Sequence, residues 1–130
     1  MTTTYVGLPV SDLARATEFF TALGFTTNPY ATDERTAAIV ISDQTWLMLN
    51  GVAFFEEYTG AAAADPATHR EVSVGFSAPS RERVDEIVDR AIAAGGGALG
   101  TVDDGPMYMR AFTDLDGHYF SVIFISEYTP

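Results

Sequence analysis

The sequence predicts an α+β protein in which two similar modules, each built from strands and one helix, pack together in a single domain of residues 1–130. The length of 130 residues and the hydrophobic content of 47% are typical of one ordinary globular domain. Each half of the chain also begins with a β-rich segment, continues with a helical pattern and returns to β-rich segments. In addition, Val6-Gly7-Leu8 matches Val74-Gly75-Phe76, so the halves resemble each other. Such repeats bury their apolar faces against one another.

The first module, at about residues 1–50, is predicted to contain three strands and a helix. The stretch TYVGLPV alternates as a strand does, and Ser11 is expected to cap a helix that Gly24 ends. The apolar residues at helical spacing are Leu13, Ala16, Phe20 and Leu23. Two strands follow, Ala37–Ser42 and Thr45–Asn50, and the polar pair between them is of hairpin length.

Residues 51–70 form a connection that is longer than two modules need, and it reads as a loop or a short helix. It begins with three aromatic residues, Phe54, Phe55 and Tyr58. These side chains are expected either to close over a ligand cavity as a lid or to form a subunit contact. A hydrophobic anchor for the connection explains them equally well.

The second module, at about residues 71–130, repeats this order. The stretch EVSVGFSAP is a predicted strand, Ser80 is expected to cap the next helix, and Gly95-Gly96-Gly97 ends it. The apolar stripe of that helix consists of Val84, Ile87, Val88, Ala91 and Ile92. After a connection rich in glycine and aspartate, MYMRAFT and HYFSVIFI are predicted strands.

The segment between the last two strands concentrates Asp114, Asp116 and His118 and invites a metal-site interpretation. A turn explains it better, because Asp116-Gly117 is a tight-turn pair and Asp114 can accept a hydrogen bond from the backbone two residues on. A calcium-binding loop would require a glutamate where Ile125 stands. We therefore expect a turn, with His118 packing or hydrogen bonding at the strand start.

Composition excludes several classes of function. The chain has no cysteine and no lysine, which removes thiolate chemistry, sulfur-ligated metal sites and Schiff-base catalysis. The net charge of -11 opposes binding to nucleic acid and to anionic membranes and would attract a cationic ligand. The start MTTTYVG has neither a basic region nor a long apolar run, so a cytoplasmic location is expected.

Two motifs, LPVSDLARATEFFTALGF at residues 8–25 and MYMRAFTDLDGHYFSV at residues 107–122, resemble the vicinal oxygen chelate superfamily of glyoxalase I, extradiol dioxygenases and bleomycin-resistance proteins. The nearest likeness is to the group of predicted lactoylglutathione lyases. The resemblance implies paired βαβββ modules whose mixed sheet curls into a half-barrel, with the helices on the convex side and a ligand cavity on the concave side. It also implies a homodimer.

In that superfamily four side chains hold a divalent metal, one from the first and one from the last strand of each module. The resemblance carries these places onto Tyr5, Met48, Ser73 and Ser121. A phenol, a thioether and two hydroxyls are poor ligands for such ions at neutral pH. We therefore expect no metal ion and no other cofactor.

Strand alternation extends the candidate site beyond those four places. The candidate ligand-binding residues are Tyr5, Trp46, Met48, Phe54, Phe55, Tyr58, Ser73, Met107, Met109, Tyr119 and Ser121. Phe120, Val122 and Phe124 alternate with the last of these and are expected to pack under the helices. Arg110 is expected to pair with Asp43, with Asp114 or with an acid of a neighbouring subunit; contact with an anionic substrate is the alternative.

Two classes of function follow. The first is a metal-free protein that binds a drug-like or metabolite ligand, as bleomycin-resistance proteins sequester theirs, and the negative charge of the chain would favour a cation. The second is an enzyme, either a glyoxalase-like lyase or isomerase with a displaced metal-ligand set or a metal-independent variant. Neither Ser73 nor Ser121 lies in a nucleophile motif, so no residue is assigned a catalytic role. The substituted metal positions favour the first class.

Overall fold

Two four-stranded mixed sheets, each with a helix on one face, make up the fold, which we describe from a computed structural model covering residues 2–126. The chain divides into two compact units, the first ending at Asp65 and the second beginning at Pro66. Unit 1 contains β1 (Thr4–Val10), α1 (Leu13–Ala22), β2 (Thr26–Thr27), a single 3-10 turn (Pro29–Ala31), β3 (Thr36–Ser42), β4 (Thr45–Gly51) and α2 (Val52–Thr59). Unit 2 contains β5 (Ser73–Ser77), α3 (Arg81–Ala93), β6 (Gly97–Asp104), β7 (Met107–Thr113) and β8 (Tyr119–Ile125). The prediction of two βαβββ modules in an α+β fold is confirmed.

The sheet of unit 1 has the strand order β1-β4-β3-β2, in which β1 runs parallel to β4 and the other neighbours are antiparallel. Its core lies between the sheet and α1, where Leu8, Leu47 and Phe20 are at most 1% exposed. The helix begins one residue later than expected. Asp12, not Ser11, is its N-cap, and Asp12 Oδ1 accepts a hydrogen bond from the backbone N–H of Arg15 at 3.1 Å.

The sheet of unit 2 has the equivalent order β5-β8-β7-β6, again with a single parallel pair, β5 with β8. Its core lies against α3. The fully buried members include Val84, Val88, Phe112, Phe120 and Val122, and the rings of Phe112 and Phe120 stack with centroids 5.2 Å apart. Ser80 caps α3 as expected, because its hydroxyl accepts a hydrogen bond from the N–H of Arg83. Phe124, expected under the helix, is only half-buried.

The strand β6 was read from the sequence as a connection, and that reading was wrong. Its eight residues are mostly exposed and include glycines and aspartates, which are unfavourable in strands. Pairing with β7 holds the strand in place, and the N–H of Gly97 also donates to Thr113 Oγ1 at 3.1 Å. Tertiary pairing therefore overrides local composition here.

Strand register reproduces the internal repeat of the sequence. In unit 1, Tyr5 lies opposite Trp46 and Gly7 lies opposite Met48. In unit 2, the residues at the corresponding places are Ser73 opposite Tyr119 and Gly75 opposite Ser121. The four positions that the resemblance assigned therefore occupy matching places in two matching parallel ladders.

The segment that joins β7 to β8 is a turn, as predicted. Asp114 Oδ1 accepts hydrogen bonds from the backbone N–H groups of Asp116 (3.0 Å), Gly117 (2.9 Å) and His118 (2.9 Å). Gly117 has a φ of 102°, in the region that favours glycine. Both Asp114 and His118 are buried. Burial raises the pKa of the Asp114 carboxyl, and its Oδ2 has no hydrogen-bond partner among residues 2–126.

Candidate ligand-binding site

Each sheet has a second face, which we call the far face, directed away from the helix α1 or α3 that covers its core side. Because successive side chains of a strand alternate between the two faces, the residues flanking the core positions belong to the far face. In unit 1 these residues are Tyr5, Gly7, Trp46, Met48 and Asn50. In unit 2 they are Ser73, Gly75, Met107, Met109, Ala111, Tyr119, Ser121 and Ile123. The sequence-predicted strand residues thus fall on the far face of their own unit.

The far face of unit 1 begins with an aromatic pair. The rings of Tyr5 and Trp46 meet edge to face, with centroids 5.5 Å apart and an interplanar angle of 87°. Tyr5 is 58% exposed. The Nε1 atom of Trp46 is buried and has no hydrogen-bond partner among the described residues. A buried indole N–H without an acceptor is uncommon, because it loses a hydrogen bond to water without replacement.

The helix α2 packs against β1 and β4 and so covers part of this face. Tyr58 is its principal contact: Asn50 Nδ2 donates a hydrogen bond to Tyr58 Oη at 3.0 Å and a second one to the carbonyl oxygen of Met48 at 3.1 Å. Burial raises the pKa of the Tyr58 phenol. A side chain at Gly7 would force Tyr58 to shift, because its Cβ would lie 2.7 Å from Tyr58 Oη.

The other two aromatic residues of α2 support Tyr58. The Phe54 and Phe55 rings lie 5.2 Å and 5.6 Å from the Tyr58 ring, measured between centroids. The guanidinium of Arg35 lies over Phe54, 4.5 Å from its centroid. Residues 52–59 are therefore a helix anchored on its own sheet. Sequence reasoning did not select Asn50, because an amide on β4 paired with a phenol on the next helix leaves no periodic signal.

The far face of unit 2 has a different centre. Ser121 is only 8% exposed, and a Cβ at Gly75 would lie 2.9 Å from its Oγ and 3.7 Å from Ile123 Cδ1. Met109 lies opposite Ile123 in the neighbouring strand. Within the part of the chain that the structure describes, the Ser121 hydroxyl makes no hydrogen bond. It is a polar group beside the apolar side chains of Ile123 and Met109.

A pocket of about 500 Å³ lies beside this centre, at the C-terminal ends of β5 and β8. It is lined by Gly75, Phe76, Ser77, Ala78, Pro79, Ile123, Phe124 and Ile125. None of these residues is among the predicted ligand-binding residues, because a pocket at the end of a strand takes residues from both faces and from the following turn. Its volume is in the range that small-molecule ligands occupy.

Arg110 is not part of either far face. Its Nη1 donates to Asp85 Oδ1 and to Asp89 Oδ1, both at 2.9 Å, and these acids come from α3. The prediction that Arg110 pairs with Asp43 or Asp114 is therefore wrong. Tyr108 Oη also donates to Asp85 Oδ1, at 2.6 Å. This bond and the Arg110 guanidinium lower the pKa of the Asp85 carboxyl. The spacing of Asp85 and Asp89, one helical turn apart, was a signal that sequence reasoning could have used.

The residues at the four inherited metal positions do not fit a metal ion. Tyr5 and Met48 offer a phenol and a thioether, and Ser73 and Ser121 offer hydroxyls, none of which is an imidazole or a carboxylate. Among residues 2–126, no group of three or more histidine, aspartate or glutamate side chains is placed to hold an ion. No helix in the same range is long and apolar enough to cross a membrane.

Comparisons with known proteins agree with this architecture. Hypothetical protein SA1046 from S. aureus is 26% identical, with a TM-score of 0.81 over 95% of this chain and 94% of that chain. A glyoxalase/bleomycin resistance protein/dioxygenase from Nocardioides is 23% identical, with a TM-score of 0.73 over 100% of this chain and 87% of its own. The fosfomycin resistance protein FosX from Listeria monocytogenes is 20% identical, with a TM-score of 0.68 over 95% and 92%.

At these identities the solved structures show the fold, and a comparison with curated proteins found no match. The sequence profile of one family, however, matches residues 2–122, nearly the whole chain. The duplicated βαβββ unit, the register of the two parallel ladders and this match agree. The chain belongs to the Glyoxalase/Bleomycin resistance protein/Dioxygenase superfamily.

Proposed function

We propose that this protein binds a small, largely apolar molecule without a metal ion and does not transform it. The observation that carries the proposal is the set of side chains at the four metal positions, Tyr5, Met48, Ser73 and Ser121. A metal-dependent member of the superfamily requires imidazoles or carboxylates there to hold the ion that polarises its substrate. Replacing those ligands removes the electrophile but keeps the fold.

The chemistry of the far faces supports the same function. Small-molecule sites combine apolar walls with a few polar groups that orient the ligand. Unit 2 offers methionine and isoleucine walls around the hydroxyl of Ser121, next to the 500 Å³ pocket. Thioether side chains adapt their shape to a ligand and make favourable contacts with aromatic rings. A neutral or cationic ligand suits the net charge of -11.

Metal analysis tests the metal-free part of the proposal. After incubation with zinc, nickel, manganese and iron salts and removal of excess ions, we expect well below one equivalent of metal per chain. Bound metal at one equivalent would contradict the proposal and favour the alternative of a glyoxalase-like lyase with a displaced ligand set.

A thermal-shift screen with aromatic metabolites and cationic glycopeptides tests the binding part, since a ligand that binds only the folded protein raises the melting temperature. Ile123→Glu, which places a charge on the pocket wall, should abolish the stabilisation. Ile92→Glu is the matched control, because Ile92 is 37% exposed on α3. Circular dichroism establishes that both variants are folded. If no compound stabilises the protein at millimolar concentration, the proposal is wrong.

A further inference from the structure

The two units place different side chains beside equivalent glycines of their first strands. Gly7 and Gly75 occupy equivalent places in the two parallel ladders. A Cβ at Gly7 would lie 2.7 Å from Tyr58 Oη, and a Cβ at Gly75 would lie 2.9 Å from Ser121 Oγ. In each unit, therefore, a hydroxyl oxygen occupies the space that the missing side chain leaves.

The hydroxyl of unit 1 has a hydrogen-bond partner within its own unit. Its oxygen accepts a hydrogen bond from Asn50, and it belongs to an aromatic ring that packs against Phe54 and Phe55. An intramolecular phenol thus occupies the far face of unit 1. It shows which chemistry this half of the duplicated scaffold accommodates beside a glycine on its first strand.

The hydroxyl of unit 2 lacks such a partner. The Ser121 side chain makes no hydrogen bond with residues 2–126, although the residue is only 8% exposed. The position equivalent to Asn50 is Ile123, which cannot donate. Unit 2 therefore presents a polar group whose hydrogen-bonding capacity the described residues leave unused.

We propose that the far face of unit 2 binds a phenol that is neutral or positively charged, with the phenol hydroxyl bonded to Ser121 Oγ and its ring packed on Ile123 and Met109. The inference rests on the proposed binding function and names its ligand class. Met109 and Ile123 are directly opposed across β7 and β8, so they form one apolar surface beside Ser121. A thioether beside an aromatic ring contributes further attraction.

The charge of the ligand follows from the arginines of unit 2. All five are engaged in contacts on other parts of the unit: Arg70 with the Pro66 carbonyl, Arg81 with Asp103, Arg83 and Arg90 with Glu86, and Arg110 with Asp85 and Asp89. There is no lysine in the chain. An aromatic carboxylate would therefore find no cation on this face, whereas a phenol or a phenolic amine needs none.

Methionine methyl NMR of the full chain gives a direct test, because Met48 reports on unit 1 while Met107 and Met109 report on unit 2. The titrants are p-cresol, toluene, tyramine and 4-hydroxyphenylacetate, and Met109→Leu assigns the key signal. We expect p-cresol and tyramine to shift Met109 and leave Met48 unchanged. Toluene should bind about tenfold more weakly, which corresponds to the loss of one hydrogen bond. The carboxylate 4-hydroxyphenylacetate should bind more weakly than toluene.

Three variants complete the test. Ser121→Ala should weaken p-cresol binding about tenfold and leave toluene binding unchanged. Gly75→Ala should weaken p-cresol binding to a similar extent, because the added Cβ turns the Ser121 hydroxyl away. In the double variant with Ser121→Ala, the affinity for p-cresol should be close to that of Ser121→Ala alone. Gly100→Ala is the matched control, because a Cβ there meets no atom within 4 Å.

Equal affinity for p-cresol and toluene, or unchanged p-cresol binding by Ser121→Ala, would overturn the inference. A shift of Met48 alone would overturn it as well. These failures differ from failure of the binding function itself. If phenols do not bind but another compound stabilises the protein and Ile123→Glu abolishes that effect, only the ligand class is wrong. If no compound in the thermal-shift screen stabilises the protein, the proposed binding function is wrong as well.

Discussion

The two units share one strand plan but differ in what lies on the far face of the sheet. In unit 1 the chain continues from β4 directly into α2, whose Tyr58 closes the space above Gly7. In unit 2 the equivalent space above Gly75 is occupied by the hydroxyl of Ser121, 2.9 Å from where a Cβ would lie. The comparison teaches that duplication preserves the strand plan more strictly than the side chains on it: beside the equivalent glycine, unit 1 has a phenol bonded to Asn50, and unit 2 has a serine hydroxyl with no hydrogen bond to residues 2–126.

The hairpin turns differ in the same direction. Asp43 and Asp114 occupy corresponding places, since Ser42-Asp43 between β3 and β4 matches Thr113-Asp114 between β7 and β8. Asp43 is nevertheless exposed, while Asp114 is 5% exposed and accepts three backbone hydrogen bonds. The turn of unit 2 therefore has a buried carboxylate that accepts from three backbone N–H groups, whereas in the turn of unit 1 the N–H of Gln44 donates to Ser42 Oγ at 3.4 Å. The following predictions test how far this asymmetry extends.

The largest effect is expected at Asp114. Asp114→Ala removes the carboxylate oxygen that accepts from three backbone N–H groups of the turn, of which Gly117 N–H keeps the Asp114 carbonyl oxygen as an acceptor at 3.2 Å. The free energy of unfolding should fall by about 3 kcal/mol. Asp43→Ala should change it by less than about 0.5 kcal/mol. Urea denaturation followed by far-UV circular dichroism measures both. Equal losses in the two variants would show that the turns are not as different as the structure indicates.

An intermediate effect is expected where α2 meets β1. Gly7→Ala forces Tyr58 Oη to move and should cost about 2 kcal/mol, and Tyr58→Phe should cost about 1 kcal/mol because Asn50 Nδ2 loses an acceptor. In the double variant the added Cβ no longer meets an oxygen. The combined loss should therefore be smaller than the sum of the single losses. Additive losses would contradict the contact, and Gly100→Ala again serves as the control.

The smallest effect is expected for the contact between α3 and β7, which has no counterpart in unit 1, since Arg15 and Glu18 of α1 make no ion pair in the described residues. Arg110→Met should lower the free energy of unfolding by about 1 kcal/mol at neutral pH. Arg83→Met, which removes a pair within α3 alone, should cost less.

The same contact makes a prediction about pH. The Tyr108 hydrogen bond and Arg110 lower the Asp85 pKa in the folded protein below its ordinary value of 3.8. The stabilisation that this carboxylate contributes is complete above the unfolded pKa and is lost as pH falls through the lower folded pKa. Stability measured between pH 5 and pH 2, a range of about three units around that value, should decline less steeply in Tyr108→Phe. An unchanged slope would contradict the assignment.

Much of the fold could be predicted from the sequence because periodic signals specify it. The stripe of α3 and the alternation of β7 and β8 each repeat over several residues, so one deviating residue does not obscure them. Ile92 illustrates the tolerance: it was assigned to the apolar stripe and is 37% exposed, yet the helix was found. The edge strand β6 could not be predicted, because its exposed residues show no hydrophobic alternation.

The candidate site was less predictable. Alternation assigned Met109 and Ser121 to one face of β7 and β8, and the register places them there. The contacts that define each far face are single encounters between distant residues, such as Asn50 with Tyr58 and Arg110 with Asp85. Such pairs depend on the angle at which a helix crosses a sheet, and no local pattern in the sequence encodes that angle. The ligand-binding role of these residues remains a prediction.

The edge-to-face contact between Tyr5 and Trp46 has a practical consequence for every solution experiment. Trp46 is the only tryptophan of the chain, and it lies in unit 1. Its fluorescence therefore reports on unit 1 and does not report directly on unit 2. A denaturation curve recorded by tryptophan emission will coincide with one recorded by circular dichroism only if the two halves unfold cooperatively, and a separation of the curves would measure their independence directly.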